Sequence, residues 1–493
     1  MRLSCVIGLM SYSLLFAQEV ATYGCCTEAT SSATHLKIVE DTIQVLGRTA
    51  CVYKVVSDQN EEFLCRRKGE CFNVVVDNYM CEPTSLHWHG LILPNLEDGV
   101  SYVTQAPIQP GQSYGYNFQI VQSGSYFAHS HYGLQEQLLI NFPVVFLESD
   151  EQECRDVIVC LEDFSFHSPT EIWQELRKNY EPPAENQDSK SMSKMPLNMK
   201  PDLNDVHYDA YLCNRSTLEQ PKVYRVCPEE KVRLRFINAS TASGFHIMLG
   251  QLQGELIAVD GQSIEPISFQ EFPLATAQRV DVLVSIPKSG GVFPILAQGQ
   301  GTNMLAGVVL KTEGGDIPNL SMHAQQTIGA ITNEFEKKLH AVDPLVAKKI
   351  DRTLNVELGG RMDTYVWSIN GHVWPDMQPL CVKEGERVEL VFINHTEMSH
   401  PMHLHGHVFQ VVEIDGQQIS GAKRDTILVM PHQTVKVVFD AVNPGLWLLH
   451  CHIAYHAWAG MLSAIHYEGY EAPCFPTEVI DQYAHIYGGY GKP

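Results

Sequence analysis

Four His-x-His pairs are the most distinctive chemical feature of the sequence. On a β-strand, residues i and i+2 point to the same face, so each pair offers two imidazoles to one side. Eight imidazoles without carboxylates suit copper, zinc or iron rather than calcium or magnesium. A single pair is weak evidence, but four pairs predict a metal cluster. The pairs are His87/His89, His129/His131, His403/His405 and His450/His452.

A cysteine inside the last pair makes copper the predicted metal. In HCHIAYHAWAGM (450–461), Cys451 lies between two histidines and must therefore point to the opposite face of the strand. Two histidines, one cysteine and a weak axial methionine form the ligand set of a blue copper electron-transfer site. The alternative role for the methionine is core packing. The predicted ligands are His400, Cys451, His456 and Met461.

The position of this cysteine implies a mechanism. Cys451 would take an electron at one copper, while its neighbours His450 and His452 bind a second metal centre. The electron path from thiolate through backbone to imidazole is then one residue long. An isolated blue copper site only shuttles single electrons, whereas one joined to a histidine cluster can collect several.

The elements that must position these residues recur along the chain. Three β-type runs end in asparagine: FNVVVDN at Asn78, VRLRFIN at Asn238 and VELVFIN at Asn394. Histidine pairs follow at the same offsets, nine and eleven residues, after Asn78 and after Asn394. Many short strands separated by Gly, Pro and Asn turns predict all-β sandwiches. The best helix candidate is PTEIWQELRKN (169–179), where Pro and Thr could start a helix.

The middle copy shares the repeat but not its histidine pairs. IAVDGQSIEP (257–266) parallels VVEIDGQQIS (411–420), and QRVDVLV (278–284) parallels KRDTILV (423–429). The outer copies therefore carry the predicted chemistry, and the middle copy is interpreted as a spacer.

Composition limits the possible partners and location. A chain of 493 residues predicts two to four domains, and a formal charge of −23 disfavours nucleic acid or an anionic membrane surface. Arg2 and the short apolar run after it are typical of a secretory signal over residues 1–20. We expect a secreted product, extracellular or periplasmic, without a membrane anchor.

Of 14 cysteines, 12 lie outside the signal and the copper motif and can form disulfides or remain buried thiols.

Taken together, these motifs resemble those of the multicopper oxidases over about residues 35–470. LHWHGLILPN, QSGSYFAHSHYGLQEQ and LEDF are most similar to bacterial copper-resistance oxidases and laccase-like enzymes. The resemblance implies an all-β fold of three consecutive cupredoxin-like β-sandwich (Greek-key) domains. These would span 21–150, 151–315 and 316–493, with the spacer in the middle.

The same resemblance implies four copper ions, with one type 1, one type 2 and a type 3 pair. His87 and His403 would hold the type 2 copper. The cluster should lie between the first and third units, because both contribute ligands. The type 3 ligands would be His89, His129, His131, His405, His450 and His452.

Two acidic positions of the family matter for protons. Asp98 in EDGV matches the position associated with proton delivery, although an Asp-Gly turn explains the pair equally well. Ala454 stands where some family members carry an acid beside the type 3 ligands. The predicted catalytic residues are Cys451, His450, His452 and Asp98.

The function implied by this resemblance is that of a laccase-like oxidase that reduces dioxygen to water with electrons from phenols or aromatic amines. We expect a monomer whose partners are dioxygen and a small reductant. A metal-ion oxidase is the close alternative, and acids near the type 1 site or the methionines at 192, 195 and 199 would favour it. A copper-sequestering protein without turnover is a third hypothesis. A two-domain nitrite reductase is disfavoured, because it would not carry all eight cluster histidines.

Overall fold

Strands dominate the structure, a computed structural model that describes residues 33–149, 154–179 and 203–474. Within these residues the strands form six sheets, two in each of three successive stretches of the chain. This agrees with the predicted all-β fold of three sandwiches.

Several sequence-based expectations fall outside the described residues. They are the secretory signal at 1–20, the boundary at 150/151 and the methionines Met192, Met195 and Met199.

The first sandwich is built from eight strands. They are β1 (Thr34–Val45), β2 (Arg48–Ser57), β3 (Leu64–Arg67), β4 (Cys71–Asn78), β5 (Leu86–His89), β6 (Ser113–Gln119), β7 (Gly124–Ser130) and β8 (Asn141–Leu147). Their sheet orders are β2-β1-β4-β6 and β3-β8-β7-β5. The pairs β1/β4 and β3/β8 are parallel, so the chain crosses between sheets instead of forming simple hairpins.

The second sandwich repeats this plan with longer sheets. Its strands are β9 (Arg155–Phe164), β10 (Ala210–Cys213), β11 (Val223–Arg225), β12 (Lys231–Asn238), β13 (Phe245–Met248), β14 (Gly254–Val259), β15 (Gln262–Phe269), β16 (Glu271–Leu274), β17 (Arg279–Ser285), β18 (Val292–Gly299) and β19 (Leu305–Lys311). The sheet orders are β10-β9-β12-β17-β14-β15 and β11-β19-β18-β13-β16.

The third sandwich carries the remaining strands. They are β20 (Arg352–Arg361), β21 (Val366–Ile369), β22 (Leu380–Val382), β23 (Arg387–Asn394), β24 (His400–Leu404), β25 (Phe409–Ile414), β26 (Gln417–Gln418), β27 (Lys423–Arg424), β28 (Thr426–Val429), β29 (Thr434–Asp440), β30 (Leu446–Cys451) and β31 (Leu462–Tyr467). One sheet has the order β21-β20-β23-β29-β25-β26, with β27 beside β25, and the other has the order β22-β31-β30-β24-β28.

Helices are short in the described part of the chain. Helix α1 (Pro169–Leu176) confirms the predicted helix, and Ser168 with Glu171 forms a capping box at its start. Helix α2 (Ala454–Trp458) directly follows the copper motif. Short 3₁₀ turns occur at Asn95–Glu97, Gln135–Leu138 and Glu336–Lys338. Among the described residues, none of the helices has the length and apolar character that a membrane crossing requires.

The three repeat asparagines have one structural role. Asn78, Asn238 and Asn394 end β4, β12 and β23, and all three are buried. Each side-chain amide donates to at least two nearby backbone carbonyls, and each Oδ1 accepts the backbone N–H two residues on. The repeated residue therefore ties the end of a central strand to the turn that follows it.

Direct hydrogen bonds join the first and third sandwiches. The Asn95 side chain donates to the Leu446 carbonyl at 2.9 Å and accepts its N–H at 3.4 Å. Asn443 donates to the Leu93 carbonyl at 3.1 Å. These bonds hold β30, the strand of the copper motif, against the first sandwich.

The cysteines behave differently from one another. Cys71 is disulfide-bonded. Free thiols in the described part of the chain, apart from the copper motif, are Cys51, Cys65, Cys81, Cys154, Cys160, Cys213, Cys227 and Cys381. Of the two alternatives that the sequence leaves open, the structure therefore has a disulfide at Cys71 and unpaired thiols at these eight residues.

One glycine in the first sandwich is required by its surroundings. Gly99 has φ +82°, and a Cβ there would lie 2.0 Å from the Leu86 carbonyl oxygen at the start of β5. A side chain would push the Asp98 turn away from the strand that carries the first histidine pair.

We predict that Gly99→Ala destabilises the protein by more than Gly385→Ala. Gly385 has nearly the same φ, +85°, but open space around its Cβ position. Its substitution should cost about 1–2 kcal/mol for left-handed strain alone, whereas Gly99→Ala should cost roughly 1–3 kcal/mol more. Urea unfolding of the two variants measures the difference. Equal losses would contradict the close packing at Gly99.

Candidate metal centres

The histidine pairs lie at strand ends, where one sheet of the first sandwich meets one sheet of the third. In the first sandwich β5 pairs with β7, placing His87 opposite His129. In the third, β24 pairs with β30, placing His403 opposite His450. The second histidine of the pairs on β7, β24 and β30 follows directly after the strand. Seven of the eight imidazoles are buried and one is half-buried.

The eight imidazoles form three groups of nitrogens that lie within 4.8 Å of one another. Each group contains histidines from both outer sandwiches. The groups are His87, His89 and His403; His89, His129 and His452; and His131, His405 and His450. The cluster therefore lies between the first and third units, where the sequence predicted it.

The nitrogens of these rings fit a metal. His405 and His450 use Nδ1 toward Asp98 and a backbone carbonyl, so their Nε2 lone pairs face each other at 3.0 Å. Nε2 of His87 is buried without a hydrogen-bond partner. In contrast, the structural His407 has both ring nitrogens within hydrogen-bond distance of a protein oxygen. Lone pairs that converge without a donor require a cation between them.

Electrostatics keep these imidazoles neutral. Burial, followed by the neighbouring histidines, lowers the pKa of His89, His129, His131, His403, His405 and His452 well below its usual range. Burial lowers the pKa of His450 to about 4. Neutral imidazoles are the form that binds a metal.

The cysteine site lies on the other face of β30. Sγ of Cys451 is 3.6 Å from Nδ1 of His400 and 3.5 Å from Nδ1 of His456, and the two nitrogens are 3.1 Å apart. All three residues are fully buried. Burial raises the pKa of the Cys451 thiol, so a thiolate here needs a bound cation. Met461 is fully buried beside it, and its carbonyl accepts the Cys451 N–H at 3.1 Å.

The predicted acid Asp98 lies at the cluster. Its Oδ2 is 2.8 Å from Nδ1 of His405, and its carbonyl accepts from Nδ1 of His87 at 2.7 Å. Its Oδ1 is buried and has no hydrogen-bond partner. Asp98 therefore orients one imidazole from each outer sandwich.

Sequence reasoning missed three further carboxylates. Oδ2 of Asp205 lies 2.6 Å from Nε2 of His456, and the Tyr365 hydroxyl also donates to it. Glu136 lies 3.6 Å from Nδ1 of His129. Burial, followed by Asp163, raises the pKa of Glu136 well above its usual range.

Asp425 is the third missed carboxylate, and its Oδ1 lies 3.1 Å from Nε2 of His89. The sequence could have drawn attention to Asp425, because this residue lies in KRDTILV, one of the segments that are repeated along the chain. Asp205 follows a polar linker and has no such signal.

Comparisons with known proteins agree with this geometry. Family models described as multicopper oxidase match residues 56–142, 170–314 and 349–468. The chain is 34% identical over 417 residues to multicopper oxidase MmcO of Mycobacterium tuberculosis, covering 81% of this chain and 80% of that protein. It is 26% identical to copper resistance protein A of Escherichia coli, covering 82% and 87%.

Solved structures share the fold. Fet3p, a multicopper oxidase that functions in iron import, superimposes with a TM-score of 0.73 at 19% identity, covering 88% of this chain and 90% of that chain. The laccase from Botrytis aclada gives a TM-score of 0.72 at 23% identity, covering 93% and 92%.

We predict that Cys451→Ser abolishes the intense blue absorption of the copper-loaded protein and its oxidase activity. A serine hydroxyl lacks the soft thiolate that produces the charge-transfer band. Absorption spectra and circular dichroism together measure the band and the fold, which should persist. Cys160→Ser, at another buried cysteine, should stay blue. A blue Cys451→Ser protein would refute the assignment of this ligand.

Proposed function

Because the chain belongs to the multicopper oxidase family, whose members are copper-dependent oxidoreductases that use dioxygen, we propose that it is a laccase-like enzyme. It would oxidise phenols or aromatic amines one electron at a time and reduce dioxygen to water. We further propose that it acts as a secreted monomer.

The main support for this proposal is that Cys451 connects the cysteine site to the histidine cluster through adjacent residues of one chain segment. Its thiol faces His400 and His456, while its neighbours His450 and His452 belong to two different imidazole groups. Nδ1 of His450 also donates to the Cys451 carbonyl at 2.9 Å, which adds a second short connection. A storage protein does not need a cysteine flanked by two cluster residues, so this arrangement favours turnover over sequestration.

We assign the coppers by these groups. His400, Cys451, His456 and Met461 would hold the type 1 copper, and His87 with His403 the type 2 copper. The type 3 ions would be held by His89, His129 and His452 on one side and by His131, His405 and His450 on the other. The bound coppers would supply one-electron transfer from the reductant and four-electron reduction of dioxygen.

Protein carboxyl groups would supply protons to the cluster. Oδ1 of Asp98 is buried without a hydrogen-bond partner and lies 3.3 Å from Nδ1 of His87, while its Oδ2 contacts His405. We propose that Asp98 holds and releases protons for water formation. Its position against two imidazoles supports this role over that of a turn residue alone.

The reductant would approach His456 at Asp205. The ring nitrogen that points away from Cys451 contacts the Asp205 carboxylate, and the Trp367 ring lies 4.2 Å from the His456 ring. The second oxygen of Asp205 is buried without a hydrogen-bond partner. Since this oxygen is closed to solvent, a phenol would have to displace the side chains that cover it; it would then donate its proton to this oxygen as it loses an electron, with its ring against the aromatic side chains.

Oxidation of a metal ion is the second candidate, because a carboxylate beside the type 1 histidine could also bind Cu(I) or Fe(II) as substrate. Relatives include proteins named for copper resistance and iron transport. In the described part of the chain, however, Asp205 belongs to no group of three His, Cys or acidic ligands. A metal-ion substrate usually needs more protein ligands than one carboxylate, and Cu(I) in particular is a soft ion that prefers sulfur to carboxylate oxygen, so the phenol is preferred.

We predict that His405→Ala cripples dioxygen reduction and leaves the blue band. The substitution removes an imidazole of the cluster but no group at Cys451. A phenol should bleach the blue band once, and air should not restore it. Oxygen uptake and absorption measure this, with His407→Gln as the control. Wild-type protein that is fully loaded with copper but consumes no dioxygen would refute the proposed function.

We predict that Asp205→Asn lowers kcat/KM for a phenol by roughly 100-fold, because an amide cannot accept the proton. Oxidation of hexacyanoferrate(II), which carries no proton, should change little. Asp209→Asn, on the same segment but bonded to Ser165 and Phe166, is the control variant. Loss of Cu(I) or Fe(II) oxidation with unchanged phenol oxidation would favour the metal-ion alternative.

A further inference from the structure

The segments QRVDVLV and KRDTILV, which the sequence repeats, meet through their arginines. Arg279 and Arg424 are both buried, and both lie beside the buried carboxylate of Asp260. Arg424 Nη1 is 3.1 Å from one Asp260 oxygen, and Arg279 Nη1 is 3.7 Å from the other. A network of buried charges therefore joins the middle sandwich to the third.

Arg279 reaches the cluster through Asp425. Its Nη1 and Nη2 donate to Oδ1 and Oδ2 of Asp425 at 2.7 and 2.5 Å. The same Oδ1 lies 3.1 Å from Nε2 of His89, and the Asp425 carbonyl accepts from Nδ1 of His403 at 2.9 Å. One aspartate thus contacts an imidazole from each outer sandwich, and a guanidinium from the middle sandwich holds it.

Packing leaves this pair little freedom. A Cβ at Gly90, the residue after His89, would lie 2.5 Å from both Arg279 Nη2 and Asp425 Oδ2. The ion pair therefore lies directly against the backbone that carries the imidazole.

The geometry of the pair determines what it can do. Two parallel hydrogen bonds from a guanidinium fix both the position and the plane of a carboxylate. That carboxylate fixes the ring of His89, whose other nitrogen, Nδ1, is buried without a partner. Groups that orient a metal-binding histidine in this way tune the affinity of the site.

We propose that Arg279 is a positioning residue for His89 and His403, acting through Asp425. The inference rests on the proposed function, because it assigns a role toward the copper cluster. The middle sandwich then does more than separate the outer two, since it sets the orientation of imidazoles that it does not contain.

Arg235 provides a matched comparison. It is equally buried, on β12, and donates to Oδ2 of Asp281 at 3.1 Å. Both arginines also join the middle sandwich to the first through the same residue. Arg235 donates to the Ser125 hydroxyl, and Arg279 donates to the Ser125 carbonyl. Within the described residues, the carboxylate partners of Arg235 contact none of the proposed copper ligands. A variant at Arg235 therefore tests sandwich docking alone.

The test compares copper-loaded wild-type, Arg279→Lys, Arg279→Gln and Arg235→Gln proteins. The readouts are copper per chain, the blue absorption band, the EPR spectrum of the type 2 copper and copper retention against a chelator. Arg279→Lys keeps the buried charge, but one ammonium cannot hold both Asp425 oxygens. We expect a normal blue band, an altered type 2 spectrum and about 10- to 100-fold weaker retention of the non-blue copper. Arg279→Gln should show a larger effect.

Arg235→Gln should lower Tm but keep the type 2 spectrum and copper retention of the wild type. Wild-type behaviour of Arg279→Lys would overturn the proposal. An equal change in Arg235→Gln, or loss of the blue band together with the type 2 signal in Arg279→Lys, would also overturn it, because the effect would then be general destabilisation. Wild-type protein that retains a single blue copper would instead contradict the proposed function.

Discussion

Imidazole lone pairs that converge in a buried space are the constraint on which the rest of this structure depends. Burial and mutual repulsion keep the rings neutral, so they cannot share protons as a charged network would. His87, His403 and His450 are each held by Nδ1, which leaves Nε2 for the interior of the cluster. The acceptors are the backbone carbonyls of Asp98, Asp425 and Cys451.

This constraint explains why the site needs more than one sandwich. A single sheet edge offers two pairs, as β5 and β7 do, and cannot surround a cluster. The third sandwich supplies the matching edge, and hydrogen bonds from Asn95 and Asn443 hold the two edges together. The middle sandwich completes the arrangement, because buried ion pairs from Arg279 and Arg424 anchor the segment around Asp425.

The two faces of β30 have different surroundings, and this difference separates the two proposed chemistries. On one side, histidines surround the proposed cluster and carboxyl groups stand behind them. On the other, Cys451 lies among His400, His456 and Met461, all fully buried. Aromatic rings and Asp205 cover that side, so a reductant would transfer electrons through His456 without touching the metal. Because side chains alternate along a strand, the two centres lie on opposite faces of β30 and are still linked through adjacent residues.

The sequence alone determined the all-β class, the strands that end in Asn78, Asn238 and Asn394, and helix α1, because strand alternation and capping are local patterns. It also identified the histidines and Cys451 that meet in the structure, since i, i+2 spacing on a strand fixes their common face. It could not assign roles to Asp205 and Asp425, or show that the spacer reaches the cluster through Arg279. Those contacts join residues far apart in the chain, and only the packing of three sandwiches brings their charges within hydrogen-bond distance.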